Sequence, residues 1–350
     1  MNVALPVPDA IPGDLYGRRE RDPLLRVLER LMNAHMQSVR LWHRKDVVGE
    51  QNDRRMSVVV VGRTVEAHDE NVVGFVLAGA GELPSWRAGA HIDVELPSGR
   101  LRQYSLCGDP ADSTTYRIAV RRIPDGDGGS IEMHDEVSVG TRLTIRGPRN
   151  AFAFAIPGHG SDADHLHFVA GGIGITPILP MARLAQRLGV DFSMVYTGRS
   201  EDSLPFLDDV RSFGDRVSIR TDDVDGIPSA QTLLEGSTQA SAIYACGPMP
   251  MIDSLHRGVH PESEFHFERF SAPPIVNGVP FTVVLNRTGE RITVPADKSM
   301  LDAVKPFRPD VAYSCRQGFC GTCRVPVEGR PDGMLICTER TEGEEVTLHM

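Results

Sequence analysis

Hydrophobic and polar positions change their spacing several times along the chain. Over residues 24–42 the apolar positions Leu24, Leu25, Leu28, Leu31, Met32, Val39 and Trp42 recur at helical intervals, with Arg26, Glu29, Arg30, Asn33 and Arg40 opposite them. Asp22 caps this predicted helix and Pro23 suits its first position. From Met56 the period drops to that of strands. Ser57–Gly62, Val72–Leu77, Ala90–Leu96, Arg102–Leu106, Tyr116–Val120 and Thr141–Ile145 are short β-rich runs. Turn residues at Pro97–Gly99 and Pro124–Gly129 break them, which predicts a small antiparallel barrel. Past residue 158 continuous apolar strands alternate with helical segments. The strands are His165–Ala170, Asp191–Tyr196, Val217–Arg220, Ala242–Cys246 and Phe265–Phe270, and Ile178–Leu188 reads as a helix ended by Gly189. That alternation predicts a doubly wound parallel sheet. Beyond residue 275, Pro280–Leu285 and Arg291–Pro295 alternate as a hairpin. A short helix at Met300–Val304, a cysteine loop and a last strand, Glu345–His349, complete the chain.

These changes divide the chain into a helical N-terminal extension (1–55), a β-barrel (56–157), an α/β domain (158–270) and an α+β C-terminal domain (275–350). The extension carries ten Lys/Arg against eight Asp/Glu in an otherwise acidic chain, and reads as an amphipathic helix packed on its own domains rather than a docking helix. His35 and His43 read as packed or solvated, not as ligands.

Composition narrows the function. With 350 residues, 41% hydrophobic and 24% charged, the chain is ordinary for a multidomain globular protein. A net charge of −10 argues against nucleic-acid binding. No apolar run approaches the ~20 residues of a membrane helix, and no signal-peptide succession opens the chain. Six cysteines, four of them in one ligand-like set, suit a reducing compartment, so a cytoplasmic location is expected.

That set is the most specific chemistry on the chain. Cys315, Cys320 and Cys323 have the spacing Cys-x4-Cys-x2-Cys, with Cys337 following. This is the plant-type spacing for a 2Fe-2S cluster. Gly318 and Gly321 give the loop the freedom to wrap a small inorganic group. Structural zinc, the competing reading, would use paired Cys-x2-Cys knuckles, which are absent.

Two earlier regions suit phosphates and flat rings. In Arg102-x-Tyr104-Ser105 an arginine can fork onto a phosphate, an aromatic can cover a ring and a hydroxyl can meet a ring nitrogen. Gly128-Gly129-Ser130 at a predicted helix start is either an anion nest or a flexible turn. Gly171-Gly172-x-Gly174-x-Thr176-Pro177 follows a strand and opens a helix, where backbone N–H groups can meet a pyrophosphate. Cys246-Gly247-Pro248 ends a later strand, and Cys246 alone reads equally as a buried small hydrophobe. Arg199 and Ser200 could take a 2′-phosphate, whereas Asp222 and Asp223 suit free ribose hydroxyls or solvent.

In this order the motifs resemble the ferredoxin–NADP reductase superfamily and, with the C-terminal cysteine domain, the phthalate dioxygenase reductase and vanillate demethylase reductase family. The resemblance covers residues 56–350. It implies an FMN domain, an NAD(P)H domain and a plant-type ferredoxin domain, with NADH favoured and NADPH the alternative. It implies that Arg102 and Ser130 hold the FMN phosphate with Gly128 and Gly129. Tyr104 would flank the ring, Ser105 would lie near its reactive nitrogen, and Ala119 and Val120 would add contacts. Thr176, Cys246 and Phe270 would border the nicotinamide. Cys315, Cys320, Cys323 and Cys337 would hold the cluster. The implied activity passes electrons from NADH through FMN to the cluster and singly to a partner oxygenase, either Rieske-type or a cytochrome P450. A redox carrier or sensor with a decayed flavin or nucleotide site is the alternative. One departure concerns the Cys323–Cys337 connection, which is shorter than the resemblance implies and leaves Arg330–Gly333 as an expected tight turn.

Overall fold

The computed structural model describes residues 55–124, 128–270, 275–313, 316, 318 and 321–350, with Pro331 by its backbone only. The predicted N-terminal helix, Cys315 and Cys320 lie outside the described residues.

The first sheet has six strands: β1 (Arg55–Val65), β2 (Val72–Ala78), β3 (Ala90–Glu95), β4 (Leu101–Ser105), β5 (Thr115–Arg121) and β6 (Arg142–Asn150). They pair antiparallel in the order β4-β3-β6-β1-β2-β5. The period-two pattern has its physical cause here. Val58 and Val60, Phe75 and Leu77, Ile92 and Val94, Tyr116 and Ile118, and Leu143 and Ile145 all point into one core. The helix Gly129–Glu136 adds Met133 to that core. β4 and β5 are the two edges of the sheet, so the barrel has a seam between them.

After two short strands, β7 (Ile156–Pro157) and β8 (Gly160–Ser161), a parallel sheet follows. It contains β9 (His165–Gly171), β10 (Phe192–Gly198), β11 (Val217–Thr221), β12 (Ser241–Cys246) and β13 (Glu264–Glu268), in the order β11-β10-β9-β12-β13. Helices cover both faces. Leu166, Phe168 and Ala170 meet the helix Ile175–Leu188 on one face. Val169, Ile243 and Ala245 meet Ile252 and Leu255 of the helix Met249–Gly258 on the other. The chain reverses direction across the sheet between β9 and β12, the switch point where ligands bind in such folds.

Several sequence boundaries shift. The helix expected from Ile178 begins at Ile175, because the turn Gly172–Gly174 runs straight into it and Pro177 falls in its first turn, where no N–H is needed. The strand expected to reach Phe270 stops at Glu268. Asp222 and Asp223 begin a short helix beyond β11.

The last sheet is mixed: β14 (Phe281–Leu285), β15 (Arg291–Val294), β16 (Arg324–Val327), β17 (Arg330–Leu335) and β18 (Glu345–Leu348), in the order β15-β14-β18-β16-β17. The short helix Met300–Val304 is capped by Ser299, whose hydroxyl accepts from the Asp302 N–H at 3.1 Å. Arg330–Gly333 is not the tight turn that its Pro-Asp-Gly composition suggests. Val327 pairs with Arg330, so the turn is Glu328-Gly329, with Gly329 at φ +76°. Gly333, also at positive φ (+65°), sits in a strand that carries a register shift.

Candidate functional site

The barrel seam opens into a cavity of about 880 Å³. That size is ordinary for a small-molecule or cofactor site. Its walls come from all three sheets. β4 gives Arg102, Tyr104 and Ser105; β5 gives Ala119, Val120 and Arg121; the helix start gives Gly129 and Ser130. The parallel-sheet domain adds Ile173, Thr176 and Phe270, and the C-terminal domain adds Tyr313 and Cys337.

The seam explains the Arg-x-Tyr-Ser spacing. Arg102 and Tyr104 lie two apart on an edge strand and share one face. Gly128 precedes the helix Gly129–Glu136 at φ +79°, a left-handed conformation that glycine adopts without steric cost. A Cβ on Gly129 would fall on the Arg102 guanidinium, with Cζ only 2.9 Å away. Glycine therefore lets this arginine lie against the helix N-terminus, where anions bind. Glu132, in the first turn, ties the β3–β4 connection down by accepting from Ser98 N at 2.7 Å and Ser98 Oγ at 2.6 Å. The Ser130 hydroxyl accepts from Ile123 N at 3.0 Å, holding the end of β5 to the same helix start. Arginine, hydroxyl and helix N–H groups at one end, with an aromatic ring at the other, fit a phosphorylated flavin.

Behind Ser105 lies a buried polar pair, Glu268 and Cys246, that does not itself line the cavity. The Ser105 hydroxyl donates to Glu268 Oε2 at 3.5 Å. Glu268 ends β13 and pairs in register with Cys246, which ends β12. Burial pushes the Glu268 carboxyl up to about 8, against the Ser105 hydrogen bond. Burial, with Glu268 beside it, also raises the Cys246 thiol well above its ordinary value. Cys246 is thus a neutral thiol. Glu268 is not among the residues the sequence singles out; the resemblance points instead to Phe270, two positions on, which is half-exposed and lines the cavity. Its signal was an acidic residue closing an apolar strand.

The glycine motif has a second cause beside phosphate access. A Cβ on Gly174 would lie 2.5 Å from the Cys246 carbonyl carbon, and one on Gly247 would lie 3.0 Å from Gly171 Cα. A Cβ on Gly171 would also meet Pro248 Cδ at 2.7 Å. Gly171-Gly172-x-Gly174 and Cys246-Gly247-Pro248 thus pack backbone against backbone at the switch point. Thr176 is buried, its hydroxyl donating to Ile173 O at 3.0 Å, and Pro177 follows it inside the helix. Arg199 and Ser200 do not line the cavity; they follow β10, where Arg199 O accepts from Asp223 N at 3.1 Å.

In the C-terminal domain Cys323 and Cys337 are both buried. The β16–β17 hairpin brings their backbones together, with Ile336 N donating to Cys323 O at 3.3 Å. Gly318 (φ +87°) and Gly321 (φ +71°) both adopt left-handed backbone, as a loop wrapped around a small group requires. Two buried cysteines, one closing this loop and one following β17, with backbones joined by that hydrogen bond, fit a 2Fe-2S cluster. Cys337 lines the same cavity as Tyr104 and Thr176. Among the described residues, no helix is long and apolar enough to cross a membrane.

Comparison with known proteins agrees with this geometry. Residues 57–154 match the family described as an oxidoreductase FAD-binding domain, and residues 283–347 match the 2Fe-2S iron-sulfur cluster binding domain. The chain is 35% identical to phenoxybenzoate dioxygenase subunit beta of Ectopseudomonas oleovorans over 77% of its length and 89% of that protein. It is 37% identical to vanillate O-demethylase oxidoreductase of Pseudomonas putida, over 79% and 89%. The solved structure of phthalate dioxygenase reductase superposes with a TM-score of 0.68 at 31% identity, covering 86% of this chain and 99% of that one.

Proposed function

The chain belongs to the phthalate dioxygenase reductase family and is a flavin and iron–sulfur reductase of the oxygenase-system type; from that membership we propose that it takes electrons from NADH, holds FMN, and serves a separate terminal oxygenase. The observation that carries this reading is the shared cavity. Side chains suited to a flavin phosphate and ring, to a nicotinamide and to a cluster face one space. A flavin bound there takes up a hydride's two electrons, and a 2Fe-2S cluster accepts them one at a time.

The chain's own residues position and insulate. Arg102, Ser130 and the first N–H groups of the helix Gly129–Glu136 bind the FMN phosphate, and Gly128 and Gly129 admit it. Tyr104, Ala119 and Val120, which line the cavity, would flank the ring. Ser105 Oγ stands between the ring and Glu268, and Glu268 keeps its proton near neutral pH. Phe270, which lines the cavity, would shield a bound flavin ring from water, and Thr176 and Cys246 would border the nicotinamide. Gly171, Gly172, Gly174, Pro177, Gly247 and Pro248 shape the nucleotide crevice. Asp222 and Asp223, beside Arg199 and Ser200 at the strand ends, favour the free ribose of NADH over a 2′-phosphate. Cys315, Cys320, Cys323 and Cys337 hold the cluster.

Purified protein should absorb as flavin plus iron–sulfur and bleach on adding NADH; a spectrum unmoved by NADH would overturn the reading. Flavin released by heat should chromatograph as FMN, and FAD in its place would correct that part. Cys337→Ser should retain flavin and lose the cluster.

A further inference from the structure

We propose that the hydrogen bond between Tyr313 and Asp93, braced by Arg149 and Lys305, is the positioning contact that sets where the iron–sulfur domain sits against the flavin cavity. The proposal rests on the reductase reading given above.

Asp93 lies on β3 of the barrel and its side chain is fully buried. Its Oδ1 accepts from Gln103 Nε2 at 3.0 Å and pairs with Arg149 Nη2 at 2.6 Å, both within the barrel. Its Oδ2 accepts from the Tyr313 hydroxyl of the C-terminal domain at 3.1 Å. Lys305 Nζ donates to the same hydroxyl at 2.7 Å and stands 4.0 Å from the Tyr313 ring centroid. The Arg149 guanidinium lies 5.5 Å from that centroid. One tyrosine of the iron–sulfur domain is thus held by a carboxylate and two cations.

The chemistry permits one arrangement of this hydroxyl. A lysine ammonium only donates and an ionised carboxylate only accepts, so the tyrosine must accept from Lys305 and donate to Asp93. Burial opposes ionisation of Asp93, but Arg149 and its neighbouring donors hold the carboxyl below its ordinary value. The apolar part of the contact is small: Leu101 of β4 packs on the C-terminal core. Apolar packing tolerates sliding, whereas a displacement large enough to break one hydrogen bond leaves a buried carboxylate short of a donor. The contact therefore fixes register. Its lever arm is short, because Tyr313 precedes the ligand loop directly and both Asp93 and Cys337 line the cavity.

A transfer across this contact would carry one electron from a bound, reduced flavin to the oxidised cluster. The cluster holds only one, so it would pass that electron to the terminal oxygenase before taking the second of the pair that NADH supplies, and the flavin would release its protons to solvent.

The test uses full-length protein carrying both cofactors, as Tyr313→Phe and separately as Asp93→Asn. Rapid mixing with NADH gives the ratio of cluster reduction to flavin reduction. Amide hydrogen exchange over Ala90–Glu95 and residues 305–313 reports the contact itself. In Tyr313→Phe the ratio should fall about tenfold, since a displacement of ~1 Å at a reacting centre can cost up to ~100-fold. Exchange in both segments should rise while flavin and iron contents hold. A wild-type ratio with wild-type exchange overturns the proposal. If Tyr313→Phe loses its cluster, Asp93→Asn, in the other domain, decides by the same two readouts. If the wild-type cluster is not reduced by NADH, the reductase reading fails, and exchange alone judges the contact.

Discussion

Glu268 carries a pH dependence whose sign can be worked out. Its ordinary value is 4.5, and burial raises it to about 8 in the folded chain. Between those values the folded state keeps a proton that the unfolded state releases, so stability falls as pH rises from about 5 to 8. Glu268→Gln removes that loss. The variant should gain stability relative to wild type across this window, by at most about 5 kcal/mol at 1.36 kcal/mol per pKa unit. Denaturant melts at a series of pH values check this, and parallel curves would contradict it. Two glycines of the site should respond differently to alanine. At Gly129 the obstacle is an arginine side chain that can swing aside, so Gly129→Ala should leave the barrel folded and weaken flavin binding by about tenfold, or about 1.4 kcal/mol. At Gly174 the obstacle is the Cys246 backbone, so Gly174→Ala should destabilise the parallel-sheet domain by about 2 kcal/mol or more. Flavin titration and thermal melts separate the two. The sequence showed both glycines but not this difference, because neighbours distant in the chain set it.

Elements were legible where one physical cause dominates. The barrel strands were read from alternation because each buries one face, as Ile92 and Val94 do on β3. The same rule hid Asp93, which lies between them and reads as a solvent-facing charge, whereas Arg149 and Tyr313 meet it there. The cysteine spacing and its glycines were legible because ligand geometry is local. The hairpin between Cys323 and Cys337 was misread, since Pro-Asp-Gly is a strong turn signal and Glu328-Gly329 a quieter one. Gly333 now has a definite role in β17. A Cβ there would lie 2.5 Å from Val325 O, at a positive φ that alanine resists. Gly333→Ala should therefore push apart the two strands that carry Cys323 and Cys337, and lower bound iron per chain. Elemental analysis of purified protein tests this, and full iron occupancy would refute it.

At the scale of the whole molecule, the barrel and the parallel-sheet domain are joined by polar contacts that no local pattern announced. Arg117 pairs with Glu66 at 2.7 Å and lies 4.9 Å from the ring of Phe206, while Phe206 N donates to Glu66 O at 3.1 Å. Arg183 donates to Cys107 O at 3.3 Å across the same boundary. A ligand in the shared cavity touches residues of every sheet, so it should stabilise them together. Free flavin cofactor at about 100 times its dissociation constant should add about 2.7 kcal/mol, or roughly 5–10 °C in the melting temperature of a chain purified without flavin. A barrel transition that rises alone would argue against the common wall. The seam between β4 and β5 extends this to the life of the protein in a cell. Until a flavin fills the cavity along that seam, the newly made chain lacks the stabilisation that binding adds and spends more time unfolded. Vitamin supply should then govern how much of this protein survives as well as how fast it works. Under riboflavin shortage the expected sign is a smaller amount of the protein, ahead of any accumulation of idle reductase.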